Sequence, residues 1–262
     1  MTSVRSITSR DNPLLARVRR LAQDGNAYRR VGQVWLEGDH LCAALRARGR
    51  PAAQALVAVS AWEQGGALRD LAGWAQAVAV VDDALFAAAS GLESPAKIGF
   101  LIDAPAGGAV LPDAHGVVLD RVQDAGNVGS ILRSAAALGA TQVLALKGTA
   151  SLWSPKVLRA GMGAHFALNL VEGLDDAALD ALAVPLVATL PHAGATLREA
   201  ALPPRCAWVL GARRAGRLGG AAVALHAGGA HPAAGRRGVA ERRRRGGDLP
   251  VRIGGARASV GQ

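Results

Sequence analysis

Three residues in the segment LDRVQDAGNVGSILRSA, residues 119–135, have side chains or backbone suited to ligand chemistry. Asn127 offers a polar amide, Gly129 lets another group approach the backbone closely, and Arg133 carries a permanent positive charge. All three lie near the start of a predicted helix that follows the apolar strand GVVLD. The segment lacks the G-x-G-x-x-G pattern, so it does not support a classical dinucleotide site.

The elements that must position these residues alternate between strands and helices from residue 116 onwards. The predicted strands are apolar throughout, which is typical of a parallel sheet with helices on both faces. Ligands of such sheets bind at the carboxyl ends of the strands. The predicted strands are GVVLD, TQVLALKG, FALNLVEG, PLVATL and AWVLG, and the predicted helices are NVGSILRSAAALG, SPKVLRAGMGA and DDAALDALA.

The first part of the chain, residues 1–103, predicts a separate small α/β unit. In RDNPLLARVRRLAQDG we expect a helix capped by Asp11, and in DHLCAALRARG a helix capped by Asp39. The segments GQVWLEG, AQALVAVS and AVAVV predict strands, the last of them leading into a helix. Residues 104–115 contain Gly and Pro without periodicity and predict a linker.

Together these segments resemble the SpoU/TrmH family of the SPOUT superfamily, which are RNA 2'-O-ribose methyltransferases with a trefoil-knotted catalytic domain. The string N-x-G-x-x-x-R after Asp120 resembles the first family motif, and SPKVLRAGMGAHF resembles the stretch after the second strand of the catalytic domain. ITSRDNPLL and VWLEGDHL are similar to the L30e-like substrate-binding domain. The resemblance covers residues 5 to about 211. It implies an α/β fold class with an L30e-like domain over 1–103 and a parallel-sheet SPOUT catalytic domain over 116–211.

The resemblance also implies a reaction and its participants. S-adenosylmethionine would be the methyl donor, RNA (rRNA or tRNA) the acceptor and a homodimer the assembly, with no metal. Asn127 and Arg133 would be the catalytic residues. Because a guanidinium does not lose its proton, we interpret Arg133 as holding a phosphate or stabilising the oxyanion on the ribose, while water or a phosphate oxygen takes the proton. The positions that match the cofactor pocket are Thr189, Leu190 and Gly211.

Each of these residues has an ordinary structural alternative. Asn127 could be a helix N-cap, Gly129 could relieve crowding, and Thr189 with Leu190 could be a plain strand end. His165 is interpreted as a hydrogen-bonded structural histidine. For RNA contacts the candidates are basic residues whose alternatives are a solvated helix face or a partner of a helix dipole. These candidates are Arg10, Arg17, Arg20 and Arg159, with Arg19 beside the first three.

The last segment, residues 212–262, does not continue the α/β pattern. From residue 211 onwards the chain has 11 Arg, one Asp and one Glu, so it carries +9 of the net charge of +10. The second and third family motifs are absent from it. If its codons are read one base later, residues 212–219 can encode H-E-G-Q-G-V-S and residues 230–243 can encode R-I-P-Q-P-G-G-V-E-S-L-N-V, which match those motifs in order. We therefore interpret the segment, residues 212–262, as an aberrant Arg/Gly-rich tail that we expect to be disordered, produced by a frameshift near Gly211 that leaves the knot incomplete and the activity impaired.

An alternative is a genuine Arg/Gly-rich tail that binds phosphates. The protein would then be a non-enzymatic RNA-binding protein that uses the first domain and the tail. The two cysteines, Cys42 and Cys206, have no metal-ligand spacing, and the sequence shows no signal peptide and no run of transmembrane length. From these features we expect a cytoplasmic protein without membrane contact.

Overall fold

The computed structural model describes residues 2–190, 195–196, 199–211 and 222–226, which form two β-sheets flanked by helices. The first sheet has the order β1-β4-β3-β5-β2; β1, β4 and β3 are parallel, and β5 runs antiparallel to β3 and β2. Its strands are β1 Ser3–Ile7, β2 Gln33–Glu37, β3 Gln54–Ala58, β4 Ala77–Val81 and β5 Ile98–Asp103. Its helices are α1 Pro13–Gln23, α2 Ala27–Val31, α3 Asp39–Ala47, α4 Val59–Gln64, α5 Gly66–Ala72 and α6 Asp83–Ala89.

The second sheet is parallel throughout, as the apolar strands predict. Its order is β10-β12-β9-β11-β6-β7-β8. Its strands are β6 Gly116–Asp120, β7 Gln142–Leu146, β8 Asn169–Leu174, β9 Leu186–Leu190, β10 Ala195–Thr196, β11 Ala207–Gly211 and β12 Ala222–His226. Its helices are α7 Ala125–Ala137 and α8 Pro155–Gly161, with 3-10 helices at Ala164–Ala167 and Asp176–Ala181.

Two predicted helix caps are wrong by one residue. The side chain of Asn12, not Asp11, caps α1 by accepting a hydrogen bond from the Leu14 N–H at 2.9 Å. Pro13 fixes this choice because proline favours the first helical position, immediately after the cap. In α3 the N-cap is Gly38 and Asp39 is already in the first turn, where its carboxylate accepts from the His40 N–H and faces the positive end of the helix dipole.

Two predicted segments of the second half also differ in the structure. DDAALDALA forms a 3-10 helix over Asp176–Ala181 and not an α-helix, since only six residues wind there and short 3-10 turns are common at such lengths. The expectation of a disordered tail is wrong for Ala222–His226, because this apolar stretch is a strand that pairs in parallel with β9 and β10. The remainder of the tail, 212–221 and 227–262, lies outside the described residues.

The segment 104–115 contains neither helix nor strand, and buried polar groups fasten it to the second sheet. The Gln142 side chain, fully buried in β7, accepts from the Leu111 N–H at 3.0 Å and donates to the Leu111 carbonyl at 2.7 Å. Asn169 at the start of β8 donates to the Ala109 carbonyl at 2.9 Å. Because a buried amide must find partners, these bonds fix the path of the segment between the sheets.

A polar cluster at Glu172 of β8 joins the two halves of the chain. Its carboxylate accepts hydrogen bonds from the Tyr28 hydroxyl, from the Arg29 guanidinium at 3.0 Å and from the Leu152 N–H at 2.9 Å. Burial, together with Glu172, raises the pKa of Tyr28, so the hydroxyl stays protonated and donates. One continuous hydrophobic core runs from the first sheet to α7 and α8, so the two halves pack directly on each other.

Described residues include no helix long and apolar enough to span a membrane. Both cysteines are buried free thiols.

His165 is a buried histidine with one hydrogen bond. Its Nε2 donates to the Leu152 carbonyl at 2.9 Å, and its Nδ1 has no partner among the described residues. The ring lies 5.2 Å from the Trp153 ring, centroid to centroid. Burial lowers the pKa of His165 to about 4, because a charged ring would lose its hydration there. This environment supports the structural interpretation of His165.

We therefore expect acid to destabilise the fold through His165. Its folded pKa of about 4 lies below the usual 6.5, so the unfolded chain binds more protons between these values and stability falls as the pH drops from about 6.5 to about 4. The loss should reach about 3 kcal/mol below pH 4. Urea unfolding from pH 7.5 to 4 measures it. His165→Gln should remove this component, whereas the exposed His40→Gln should keep it. Equal pH slopes for the parent chain and His165→Gln would contradict the assignment.

Candidate active site

Helix α7 starts immediately behind the carboxyl end of β6, and Asp124 caps it. The Asp124 carboxylate accepts a hydrogen bond from the Asn127 N–H at 2.7 Å. The N-cap interpretation of Asn127 is therefore wrong, because the aspartate three residues earlier takes that role. Asn127 lies exposed in the first turn, and its side chain makes no hydrogen bond to any other described residue. Its amide is thus available to a ligand.

Arg133 is exposed on the same helix, and it forms no hydrogen bond or ion pair within the part of the chain that the structure describes. Helical side chains lean toward the N-terminus, over the residues three and four positions earlier. For Arg133 these are Ser130 and Gly129, and Gly126 lies one turn further. Because all three are small, the guanidinium can extend toward the start of α7 and the carboxyl edge of β6.

Gly129 is the point where α7 meets α8. A Cβ at this position would lie 2.3 Å from the Ala160 Cβ and 2.8 Å from the backbone N of Gly161. No real Cβ tolerates such distances, so the two helices can approach this closely only because residue 129 is glycine. The alternative that Gly129 relieves crowding between helices is therefore supported. Gly129 then affects the site only indirectly, because it sets the position of α7.

The three positions predicted for the cofactor reach one edge of the second sheet. Strands β9 and β11 pair so that Ala188 lies opposite Val209. Their last residues, Leu190 and Gly211, each follow two positions later, so the two strands end at the same level. Thr189 and Leu190 end β9, and their side chains lie outside the described residues. Gly211 ends β11 with φ +130°, and a Cβ there would lie 2.1 Å from the Asp120 carbonyl oxygen. The ends of β9 and β11 thus lie level, and the end of β11 packs against the end of β6, beside the loop that leads into α7.

A charged cluster at this edge was not predicted from the sequence. Arg121 directly follows β6 with φ +56°, an uncommon conformation for a residue with a side chain. Its guanidinium pairs with the buried Asp120 and with Asp176 at 3.2 Å, and its stem lies 3.3 Å from where a Gly148 side chain would begin. The cluster connects the β6–α7 loop to the 3-10 helix after β8. The available signal was the Asp-Arg pair at the strand end.

The basic residues predicted for RNA are distributed over both halves. Arg10 and Arg20 are exposed, Arg17 donates to the Gln33 side chain at 3.1 Å, and Arg159 is half-buried in the last turn of α8. Among the described residues these four form no hydrogen bond or ion pair with one another. Arg19 donates to the Ala88 carbonyl at 3.1 Å, which is a structural contact.

In residues 2–190, 195–196, 199–211 and 222–226, no group of three or more His, Cys, Asp and Glu side chains lies close enough together to hold a metal ion.

A profile of the SpoU rRNA methylase family matches residues 114–217, the part that holds Asn127 and Arg133. An uncharacterized tRNA/rRNA methyltransferase from Synechocystis is 31% identical over 210 residues, which cover 76% of this chain and 74% of that protein. The chain belongs to the SpoU methylase family.

Other similar proteins share a higher identity over a short stretch or have a similar fold. The mitochondrial rRNA methyltransferase 3 of Xenopus laevis is 52% identical over 59 residues, which are 22% of this chain and 14% of that relative, so this SpoU chain matches only a small part of it. A crystal structure of an RNA 2'-O ribose methyltransferase is 30% identical with a TM-score of 0.66, covering 86% of this chain and 91% of that one. AviRb from Streptomyces viridochromogenes, solved with AdoMet, has a TM-score of 0.71 and 22% identity, covering 84% and 91%.

Replacing Gly129 by alanine tests the contact on which the site helix rests. The added Cβ would overlap Ala160, so α7 must shift or α8 must move, and we expect a loss of about 2 to 4 kcal/mol in the free energy of unfolding. Gly107→Ala is the matched control, since nothing lies within 4 Å of a Cβ there and its effect should stay within about 0.5 kcal/mol. Urea denaturation measures both. Equal stability of the two variants would show that the contact is not tight.

Proposed function

We propose that this SpoU fold transfers a methyl group from S-adenosylmethionine to the 2'-hydroxyl of a ribose in RNA. The observation that carries the proposal is the N-x-G-x-x-x-R signature on α7, the helix that follows the carboxyl end of β6, where β11 pairs with β6 and Leu190 and Gly211 end level. Support comes also from the 30% identical structure, described as an RNA 2'-O ribose methyltransferase, and from relatives that act on rRNA.

The donor is the cofactor that SpoU methyltransferases use, as the AdoMet complexes of AviRb and of a Sinorhizobium meliloti rRNA methyltransferase illustrate. When bound, it supplies an electrophilic methyl carbon on a positively charged sulfur. In this chain the backbone of Thr189, Leu190 and Gly211 would hold it. The fit rests on Gly211, where a Cβ would lie 2.1 Å from the Asp120 carbonyl oxygen, so only glycine lets the backbone at the end of β11 lie directly against the end of β6. We also propose a homodimer, on the family resemblance alone.

On the side of the RNA acceptor, Arg133 is the group that can interact with negative charge. Its guanidinium stays protonated, so it would bind an RNA phosphate or stabilise the charge that develops on the 2'-oxygen as that oxygen takes the methyl group, while the methyl–sulfur bond breaks and the donor leaves as a neutral thioether. The hydroxyl proton passes to water or to a phosphate oxygen. The exposed Asn127 amide can donate and accept hydrogen bonds at the ribose, which orients the hydroxyl.

Removing the Arg133 charge should therefore reduce the rate of methyl transfer more than the affinity for RNA. In a chain whose reading frame is restored after Gly211, Arg133→Ala should lower kcat for methyl transfer about 10²- to 10³-fold, the effect of losing one oxyanion donor, with a smaller change in KM for RNA. The exposed Arg5→Ala on β1 removes an equal charge and should change the rate less than about 2-fold. Transfer of tritiated methyl groups to rRNA measures both. Equal rates for the two variants would exclude Arg133 from the site.

For the chain as it stands, we propose impaired activity. The family profile ends at residue 217, and the second and third family motifs are absent from residues 212–262, as a frameshift near Gly211 explains. In the family those motifs supply much of the donor pocket. The alternative, a non-enzymatic RNA-binding protein, is favoured only by the charge of +9 beyond residue 210.

Calorimetric titration with S-adenosylmethionine separates these possibilities. The chain as it stands should give no measurable heat, because residues 212–262 do not supply the missing pocket groups, whereas the frame-restored chain should bind. Micromolar binding by the unrestored chain would contradict impairment. RNA binding whose steep salt dependence disappears on deleting 212–262 would favour the alternative.

A further inference from the structure

Outside the candidate active site, the first half of the chain carries an exposed indole, that of Trp74, next to a loop that is rich in arginine. Arg46, Arg48 and Arg50 lie exposed at the end of α3 and in the loop that follows. From residue 40 to residue 62 the sequence contains no Asp or Glu. We call Arg46, Arg48, Arg50 and Trp74 the arginine–tryptophan surface.

Trp74 is the exposed tryptophan of the described residues, with 41% of its surface accessible. Its Nε1–H donates to the Arg50 carbonyl at 3.1 Å, which fixes the ring beside the arginine loop. The Arg46 guanidinium carbon lies 5.9 Å from the ring centroid, within the range of a cation–π contact. The indole is therefore held in one orientation, with part of its surface open to solvent.

A second pair of the same type lies in the adjoining helices. The Arg69 guanidinium carbon lies 4.5 Å from the centroid of the half-buried Trp62 ring. Glu63 and Asp70 are the exposed acids of α4 and α5, so positive charge is concentrated at Arg46–Arg50 and decreases toward these helices. A negatively charged partner would accordingly contact the α3 end of the surface.

Arg50 also lines an open groove of about 410 Å³ between the first half and the second sheet. Its walls include Pro105 and Gly108 of the connecting segment, and Phe166 and Asn169 near the start of β8. The Arg50 guanidinium forms no hydrogen bond or ion pair with another described residue, since the bond to Trp74 uses its carbonyl. Arg50 thus belongs both to the arginine–tryptophan surface and to the lining of this groove.

We propose that the arginine–tryptophan surface binds a single-stranded stretch of RNA, with one base stacked on Trp74 and the adjoining phosphates on Arg46, Arg48 and Arg50. Single-strand sites combine aromatic platforms with cations that follow the backbone. The groove is at the amino end of β8, whereas the proposed catalytic edge is at the carboxyl ends of the strands. The surface is therefore a docking site separate from the catalytic edge, and it rests on RNA being the partner of the proposed function.

The test uses the full chain with its five tryptophans replaced by 5-fluorotryptophan. The Trp74 fluorine resonance, assigned with Trp74→Phe, reports on this ring alone, whatever the basic tail binds. Addition of a short oligouridylate should shift the resonance saturably. The triple variant Arg46→Ala, Arg48→Ala and Arg50→Ala should raise the midpoint of that shift at least about 10-fold. Arg5→Ala, which removes an exposed arginine of β1, should leave it within about 2-fold.

The other outcomes each overturn the proposal. A Trp74 resonance that stays unchanged while fluorescence anisotropy reports saturable oligouridylate binding means that RNA binds elsewhere. An equal shift with polyglutamate means a surface for acidic proteins. No RNA binding at all excludes RNA as the partner of this surface. The fluorine readout does not involve methyl transfer. A shift of the Trp74 resonance in a chain that transfers no methyl group would therefore support RNA binding at this surface and count only against the proposed function.

Discussion

The close contact of α7 with α8 at Gly129 is the constraint on which the candidate site depends. Arg133 and Asn127 belong to α7, and the depth to which this helix settles on its neighbour fixes their height above the sheet edge. Backbone packs almost directly on backbone there, with Ala160 opposite the glycine. No flexible side chain lies between the two backbones at this contact, so a small shift of α8 moves α7 as well.

The polar cluster at Glu172 extends that constraint to the first half of the chain. Glu172 binds the N–H of Leu152, close to the start of α8, and it also binds Tyr28 and Arg29 of α2. One carboxylate thereby ties the first half to the segment that supports α7. The cluster is half-buried, so its hydrogen bonds are stronger than exposed ones, and losing one partner leaves a poorly solvated charge. The first half and the site helix are consequently positioned together.

Sequence analysis predicted the parallel sheet because its strands are apolar on both faces, and it placed Asn127 and Arg133 on one helix because the pattern there is local. It missed β1, an edge strand whose sequence SVRSI is mostly exposed and lacks an apolar face. It could not choose the role of Gly129, since that role depends on α8, some thirty residues away. The strand at Ala222–His226 was also missed, because the Arg/Gly composition around it suggested an irregular tail.

The central claim is that this family member, with its reading frame restored after Gly211, methylates a ribose of RNA. Nucleoside mass spectrometry tests it most directly: the protein is incubated with methyl-deuterated S-adenosylmethionine and unmodified rRNA or tRNA, and the RNA is digested to nucleosides. The account predicts the deuterated methyl group on the ribose fragment of one nucleoside. Label on a base, or no label while S-adenosylmethionine binds, would contradict it.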